Sequence, residues 1–243
     1  MPVDKQPVPS VWTRPRRQRE QPALSQERIV NEAVQLLDAA GIDALSMRSL
    51  GTRLGAGATS LYRHVANKDE LIELVVDEVY GELALPDAAD PASWRASIGA
   101  CAHDLRAMAL RHPWVASVLG QVGLASLGPN VTRFSEATLA VFDAAGLDLR
   151  EADQAMNTVL AYVIGMATSE AAYLSLLARS GQDEKTWIES LRPAAEQAVE
   201  DHPRLREGYA AQSGQDPREI RENNFEYGLQ LILDGLATRL VGG

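Results

Sequence analysis

The chain has 243 residues, of which 46% are hydrophobic, and this composition can bury one large core or two modest ones. We expect no membrane-spanning helix, because no apolar run approaches the roughly 18–20 residues that a bilayer requires, and we expect no signal peptide. The single cysteine, Cys101, excludes an intramolecular disulfide and a metal site made of cysteines alone. These features predict a cytoplasmic protein with no membrane partner.

The formal net charge of −10 is unevenly distributed along the chain. Residues 1–68 carry ten Lys/Arg and six Asp/Glu, whereas residues 69–243 carry thirteen Lys/Arg and twenty-seven Asp/Glu. Local charge, rather than the total, decides where a polyanion docks. A nucleic acid could therefore bind at the N-terminal end, while the acidic remainder would repel it.

Residues 1–24 are proline-rich and lack apolar periodicity, so we expect no independent fold there. Within them, residues 12–19 contain four arginines and no acidic residue, namely Arg14, Arg16, Arg17 and Arg19. One interpretation is a solubilising tail. The other is an arm that lies along DNA and inserts arginine into a narrow minor groove, and its position before a predicted DNA-binding segment favours this arm.

The first long helix is predicted to begin after Ser25, a good N-cap, and to end at Gly41. Its buried stripe would consist of Ile29, Ala33, Leu36, Leu37 and Ala40. A later helix over 68–83 is predicted from Asn67 and Glu70, which have the spacing of a capping box.

Between these helices, Ser46–Lys68 predicts a short helix, a glycine turn and a second short helix. Ser46 can cap the first helix, and Gly55 can end it in the left-handed conformation. Leu61 and Val65, four residues apart, mark the buried side of the second helix. This pattern is typical of a helix-turn-helix, whose second helix enters the major groove, although an ordinary helical hairpin would look similar.

From Trp94 onward the pattern is helical, with no alternating strand. Helices are expected at 92–111, 113–120, 129–145, 149–179, 184–199 and 217–241. The polar segment 180–216 predicts a mobile flap around one helix that contains Trp187.

Two of these helices, at 149–179 and 217–241, carry apolar faces that are too wide for one small bundle. Gly228 and Gly235 would also let another helix approach the last one closely. We therefore expect a homodimer, with packing inside one chain as the alternative. The expected contact residues are Val163, Ile164, Phe225, Leu229, Ile232, Leu233 and Leu236.

The segment from about Ser25 to Leu83, and above all Leu61-Tyr62-x-His64-Val65 followed by Asn67-Lys68-Asp69-Glu70-Leu71, resembles the DNA-binding domain of the TetR family of bacterial transcriptional regulators. The run Phe225-x-x-Gly228-Leu229-x-Leu231-Ile232-Leu233-Asp234-Gly235-Leu236 resembles the closing helix of the subgroup that shares the tetracycline repressor's C-terminal domain. The resemblance implies an all-α fold with a three-helix helix-turn-helix domain (25–84) and a larger helical ligand-binding and dimerisation domain (85–243). In the family, the two apolar helices pair with those of a second subunit in a four-helix bundle.

The resemblance also implies which residues would contact DNA. Arg48 would reach a guanine edge, for which a guanidinium has the right shape, and Ala58 and Thr59 would contact thymine methyl groups. A solvated charge is the alternative for Arg48. Contacts to phosphate would fall to Ser60, Tyr62, His64 and Lys68.

Two positions depart from the family pattern. Gly51 stands where the family usually has alanine, which would cost about 1 kcal/mol of helix propensity. Gly57 stands where Ser or Thr usually caps the recognition helix. We therefore expect a helix-turn-helix that is looser than average before it meets DNA.

A metal-dependent ligand is not supported. The tetracycline repressor binds a chelated magnesium through a histidine, and matching His112-Pro113-Trp114 to that region places Leu119 at the equivalent position. We therefore expect no cofactor and a pocket for a planar polycyclic effector, because apolar and aromatic side chains with few polar tips suit such a molecule. The candidate lining residues, each of which could equally belong to the core, are Met108, Trp114, Leu119, Phe134, Met156, Asn157, Tyr162, Met166, Tyr173 and Trp187.

Catalysis is not expected, because the four histidines are scattered and the sequence has no nucleophile elbow and no phosphate-binding glycine loop. The sequence predicts a dimeric repressor on a palindromic operator, released by a small molecule. The effector would bind between the helices at 92–145 and 149–179 and shift the helix at 68–83. A constitutive DNA-binding protein without an effector is the alternative.

Overall fold

The computed structural model describes residues 24–115, 117–118 and 128–241, and the regular elements in these ranges are all helices, as predicted. Two 3-10 turns lie at Ile42–Ala44 and Pro91–Ser93. The α-helices are α1 (Gln26–Ala40), α2 (Met47–Arg53), α3 (Ala58–Leu61), α4 (Lys68–Tyr80), α5 (Trp94–Arg111), α6 (Pro129–Ala144), α7 (Leu149–Ser180), α8 (Glu184–Ala198), α9 (Pro203–Gln212) and α10 (Pro217–Val241).

Helix α1 begins and ends at the predicted residues. The Oγ of Ser25 accepts from the backbone N–H of Arg28 at 3.2 Å, and Gly41 has a φ of +74°. The predicted stripe is buried except for Ala40, which is exposed, and Val30 is buried instead. Val30 stands three and seven residues from Ala33 and Leu37 and so shares their side of the helix.

Helix α4 packs against both α1 and α6 and so joins the N-terminal and C-terminal parts of the chain. Asn67 caps it, because its Oδ1 accepts from the N–H of Glu70 at 2.8 Å. The capping box is shifted by one residue: the Glu70 carboxylate accepts from the N–H of Ala66 at 2.5 Å rather than from that of Asn67.

The larger C-terminal part is organised around α7, which packs against α5, α6 and α10. Its centre is formed by fully buried apolar side chains such as Met108, Phe142 and Phe225. Cys101 is also buried here, and burial raises the pKa of its thiol to about 11.

The segment 180–216 contains two helices rather than the one predicted. Pro203 stands in the first turn of α9, where proline is favoured because its missing N–H would be unpaired anyway. Pro203 therefore marks the start of α9. Neither α8 nor α9 contains a buried residue.

By length and composition alone, α7 could cross a membrane, because one 18-residue window has a mean hydropathy of 1.4. The expectation that no stretch would approach this limit was therefore wrong. Only 17% of that window is buried within the chain.

Candidate nucleic-acid interface and ligand cavity

The helix-turn-helix is built by α2 and α3. Ser46 and Ser49 form a capping box at the start of α2, in which each backbone N–H donates to the other residue's Oγ at 3.0 Å. The predicted cap at Ser46 is thus present, whereas the hydrogen bond from the N–H of Ser46 to Ser49 was not predicted. Helix α2 ends before Gly55, which has the predicted left-handed conformation with a φ of +63°.

Gly51 does not loosen the motif. A Cβ atom at this position would stand 2.8 Å from the carbonyl oxygen of Ala56 and 3.1 Å from Cδ1 of Leu61. The missing side chain therefore lets the turn and α3 approach α2 more closely than an alanine would allow. At Gly57 no side chain caps α3, so the effect of the missing cap stays a prediction.

The residues assigned to DNA lie on the accessible side of this unit. Leu61 and Val65 are buried as predicted, whereas Tyr62 is 52% exposed. Arg48, Thr59 and Lys68 are exposed, and Ala58, Ser60 and His64 are partly exposed. Arg14, Arg16, Arg17 and Arg19 lie outside the described residues.

Two contacts hold the motif on α1. The Nε of Arg53 in α2 lies 2.5 Å from Oε1 of Glu32, and the side-chain amide of Gln26 donates to the carbonyl oxygen of His64 at 3.4 Å. The end of α2 and the segment after α3 are therefore both fixed to α1.

A buried polar cluster connects α1 to the end of α5. The imidazole of His112 is 7% exposed, and its Nδ1 lies 2.7 Å from Asp38 while its Nε2 lies 3.0 Å from Glu82. Trp114 donates from its indole N–H to Asp38 at 2.7 Å. Trp114 is only 4% exposed and its indole N–H is used in this contact, so it belongs to the core rather than to a ligand pocket.

A second connection ties α4 to α6. The carboxylate of Asp77 accepts from the backbone N–H groups of Asn130 and Val131 at 2.8 and 3.0 Å and so caps α6 from outside. Gly128 passes so close that a Cβ there would stand 2.7 Å from the Cβ of Asp77. Neither long-range connection was foreseen from the sequence.

Three of the predicted ligand residues, Met166, Tyr173 and Trp187, line one cavity of about 1190 Å³. The cavity lies between α7, α8, α9 and α10, rather than between α5, α6 and α7 as expected. Tyr173 and Trp187 meet edge to face with ring centroids 5.3 Å apart.

The other predicted ligand residues do not line this cavity. Met108 is completely buried, Phe134 packs edge-on against Tyr80 at 6.0 Å, and Tyr162 stacks on Phe225 at 5.7 Å, so these three belong to the core. Met156 and Asn157 lie two turns or more before Met166 on α7, where Met156 packs against the core and Asn157 is exposed. Leu119 lies outside the described residues.

One end of the cavity is polar. Glu170 lies 2.9 Å from Arg106 and 3.2 Å from Arg221, and the Tyr173 hydroxyl donates to Glu184 at 2.7 Å. Burial and, to a lesser degree, this contact with Glu184 raise the pKa of Tyr173 to about 12. The hydroxyl therefore keeps its proton and remains a donor at neutral pH.

Four residues predicted for the dimer interface are fully buried within the single chain, namely Val163, Phe225, Leu229 and Leu233. These assignments are wrong, because the side of α10 with Phe225, Leu229 and Leu233 packs on α5 and α7 of the same subunit, and Val163 lies on α7 within this packing. Ile164, Ile232 and Leu236 remain partly accessible. The opposite side of α10 exposes Tyr227 and Leu231 by 70% and 55%.

Within the described residues, no group of three His, Cys, Asp or Glu side chains is placed to hold a metal ion. The absence of a cofactor stays a prediction.

The chain matches known families over most of its length. Residues 29–75 match the profile described as bacterial regulatory proteins, tetR family, and residues 85–240 match the tetracyclin repressor-like C-terminal domain. It is 38% identical to an HTH-type transcriptional regulator of Saccharopolyspora erythraea, covering 94% of this chain and 91% of that one. It is 33% identical to the HTH-type transcriptional repressor DrrR1 of Streptomyces coeruleorubidus, covering 88% and 78%. The crystal structure of the Streptomyces coelicolor TetR family protein ActR in complex with actinorhodin superposes with a TM-score of 0.72 and 30% identity, covering 88% and 95%.

Proposed function

The chain belongs to the tetR family of bacterial regulatory proteins, and on this basis we propose that it represses transcription as a homodimer on a palindromic operator, from which a small molecule releases it. Such a regulator acts in the cytoplasm, needs no cofactor and has no catalytic role. The observation that carries the proposal is an accessible helix-turn-helix in a chain whose other helices enclose a cavity. The two family matches support a boundary between the DNA-binding and ligand-binding domains near residues 84–85.

The proposed contacts with DNA follow from the accessible side of α2 and α3. Arg48, Ala58 and Thr59 read base edges, since a guanidinium pairs with guanine and methyl groups pack on thymine. The residues that hold phosphates and set the register are Ser60, Tyr62, His64 and Lys68, with the arginines of residues 1–24 as an additional arm.

Exposed apolar surface supports the homodimer. The 18-residue apolar window of α7 is mostly unburied within one chain, and Leu176, Tyr227 and Leu231 are each more than half exposed. A soluble protein seldom leaves such a surface uncovered. A second copy of α7 and α10 would cover it and would place two recognition helices in major grooves about 34–36 Å apart.

The contacts of α6 and α7 support a route from the cavity to DNA. Helix α7 carries Met166 and Tyr173 in the cavity wall and packs on α6, and α6 holds α4 through Asp77. A displacement of α7 would therefore move α4 and the spacing of the recognition helices. By linkage, the effector and the operator weaken each other's binding by the same factor.

Selection of operators from a randomised duplex pool, at near-physiological salt, tests the DNA-binding half of the proposal. We expect an enriched palindrome, and weaker binding when residues 1–22 are removed. R48A should cost about 1–3 kcal/mol of discrimination at one base pair, and K68A should weaken all sequences alike and lower the salt slope by about 1. R150A is the control, because Arg150 is an exposed arginine in the first turn of α7, outside the helix-turn-helix. Failure to enrich any sequence would contradict the proposal.

A further inference from the structure

Glu184 and Arg221 close the polar end of the cavity. Both terminal nitrogens of Arg221 on α10 donate to the carboxylate of Glu184 on α8, the Nη2 contact being 3.4 Å long. The two side chains are 22% and 20% exposed. The edge of the guanidinium that suits a carboxylate is therefore occupied by a carboxylate of the chain itself.

The two carboxylates that pair with Arg221, those of Glu170 and Glu184, differ in how many other contacts hold them in place. Glu170 also pairs with Arg106, whose side chain is only 7% exposed and whose guanidinium lies 4.5 Å from the ring centroid of Phe225. Glu184 has the Tyr173 hydroxyl as its other partner and stands in the first turn of α8, a helix without any buried residue. Glu184 can therefore leave Arg221 more readily than Glu170 can.

Helix α8 presents an apolar side to the cavity. Trp187, Ile188 and Leu191 line it, and Leu191 is still 47% exposed. These side chains face a volume of about 1190 Å³, which is enough for a drug-sized ring system. A ligand that bridges this apolar side and Arg221 would have a flat apolar body and a polar end.

We propose that the cavity takes an aromatic carboxylic acid, whose carboxylate replaces Glu184 on Arg221 and whose rings lie along α8. The inference rests on the proposed function, because it names the chemical class of the effector. Exchange of one carboxylate for another leaves the charge of the cluster unchanged, and Glu184 moves from a site near the surface into water. A cationic ligand could not take the place of Glu184 on Arg221, because the two positive charges would repel each other. The exchange also removes an ion pair that holds α8 in place.

Fluorescence titration of the full-length protein with anthracene carboxylate and with anthracene carboxamide tests this inference. The carboxylate should bind about tenfold more tightly than the amide, since only a carboxylate can replace Glu184 on Arg221 without weakening the charged hydrogen bonds of the guanidinium. E184Q should increase the affinity for the carboxylate, because the competing charge is gone, and leave that for the amide unchanged. R221M should abolish the preference. R192M is the matched control, because Arg192 lines the same cavity but donates to the neutral hydroxyl of Ser213 at 2.9 Å.

Equal binding of the two compounds to the wild type and to E184Q would overturn the inference, as would tighter binding of anthracene methylamine. Amide hydrogen exchange provides an independent readout: the carboxylate, and not the amide, should speed exchange over 184–198. Operator binding by the same preparations separates the two proposals. If the protein binds its operator but E184Q and R221M do not change carboxylate binding as expected, the acid site alone is refuted. If both variants change carboxylate binding as expected but no operator is bound, the proposed function alone is refuted.

Discussion

The ring of Tyr162 fills the space beside Gly228, and this makes G228A a sharp test of how α7 and α10 pack. A methyl group on Gly228 would stand 2.7 Å from both Cε2 and Cζ of this ring. The Tyr162 hydroxyl donates to the carbonyl oxygen of Phe225 at 2.7 Å, and the two rings stack. The tyrosine therefore cannot move aside without losing both contacts.

The magnitude follows from three effects. An alanine in the middle of a helix is favoured over glycine by about 1 kcal/mol. Overpacking costs about 1–3 kcal/mol, and loss of the Tyr162 hydrogen bond costs about 1 kcal/mol more. We expect G228A to lower the free energy of unfolding by about 2 kcal/mol. Helix propensity alone predicts the opposite sign.

Urea unfolding at a fixed protein concentration, followed by tryptophan fluorescence, measures this change, because Trp94, Trp114 and Trp187 all lie in the C-terminal part. G99A is the matched control. Gly99 lies inside α5 with no atom within 4 Å of its missing Cβ, so alanine should stabilise there by about 0.5–1 kcal/mol.

A double-mutant cycle with Y162A decides whether the clash is the cause. In the Y162A background, G228A should no longer destabilise, because the ring that it meets is absent. An equal loss with and without Tyr162 would refute the reasoning.

Three further outcomes are expected. S46A should destabilise the helix-turn-helix by about 1 kcal/mol and weaken operator binding, measured by circular dichroism and by titration with operator DNA. D77A should leave the start of α6 uncapped, costing about 1–2 kcal/mol and weakening the coupling between effector and operator, measured by comparing effector affinity with and without DNA. Burial raises the pKa of Glu82, but hydrogen bonds from Arg111 and His112 lower it more, to below the ordinary 4.5. Glu82 therefore stabilises the fold above pH 4.5, and this stabilisation is lost as the pH falls through its folded pKa. In E82Q the free energy of unfolding should depend less on pH in the acid range, which urea unfolding at a series of pH values measures.

Local signals in the sequence were sufficient for the helices and for the helix-turn-helix. Ser25, Ser46 and Asn67 cap the helices that they were predicted to begin, and Gly41 and Gly55 end theirs with positive φ. These features depend on atoms a few residues apart, so composition and spacing specify them almost completely. The second helix in 180–216 was missed because the segment is polar, although Pro203 stands in the first turn of that helix.

Which surfaces meet was decided only by the tertiary structure. The sequence predicted the apolar stripe of α10, but the stripe Phe225, Leu229 and Leu233 packs inside the subunit rather than on a partner. Likewise, Asp38 meets His112, and Arg221 meets Glu184, across 74 and 37 residues. A periodic pattern predicts that a side chain is buried but does not predict which residues it packs against. The sequence position of a charged residue likewise does not identify its ion-pair partner. Both are settled only when the helices pack and bring distant residues within a few ångströms.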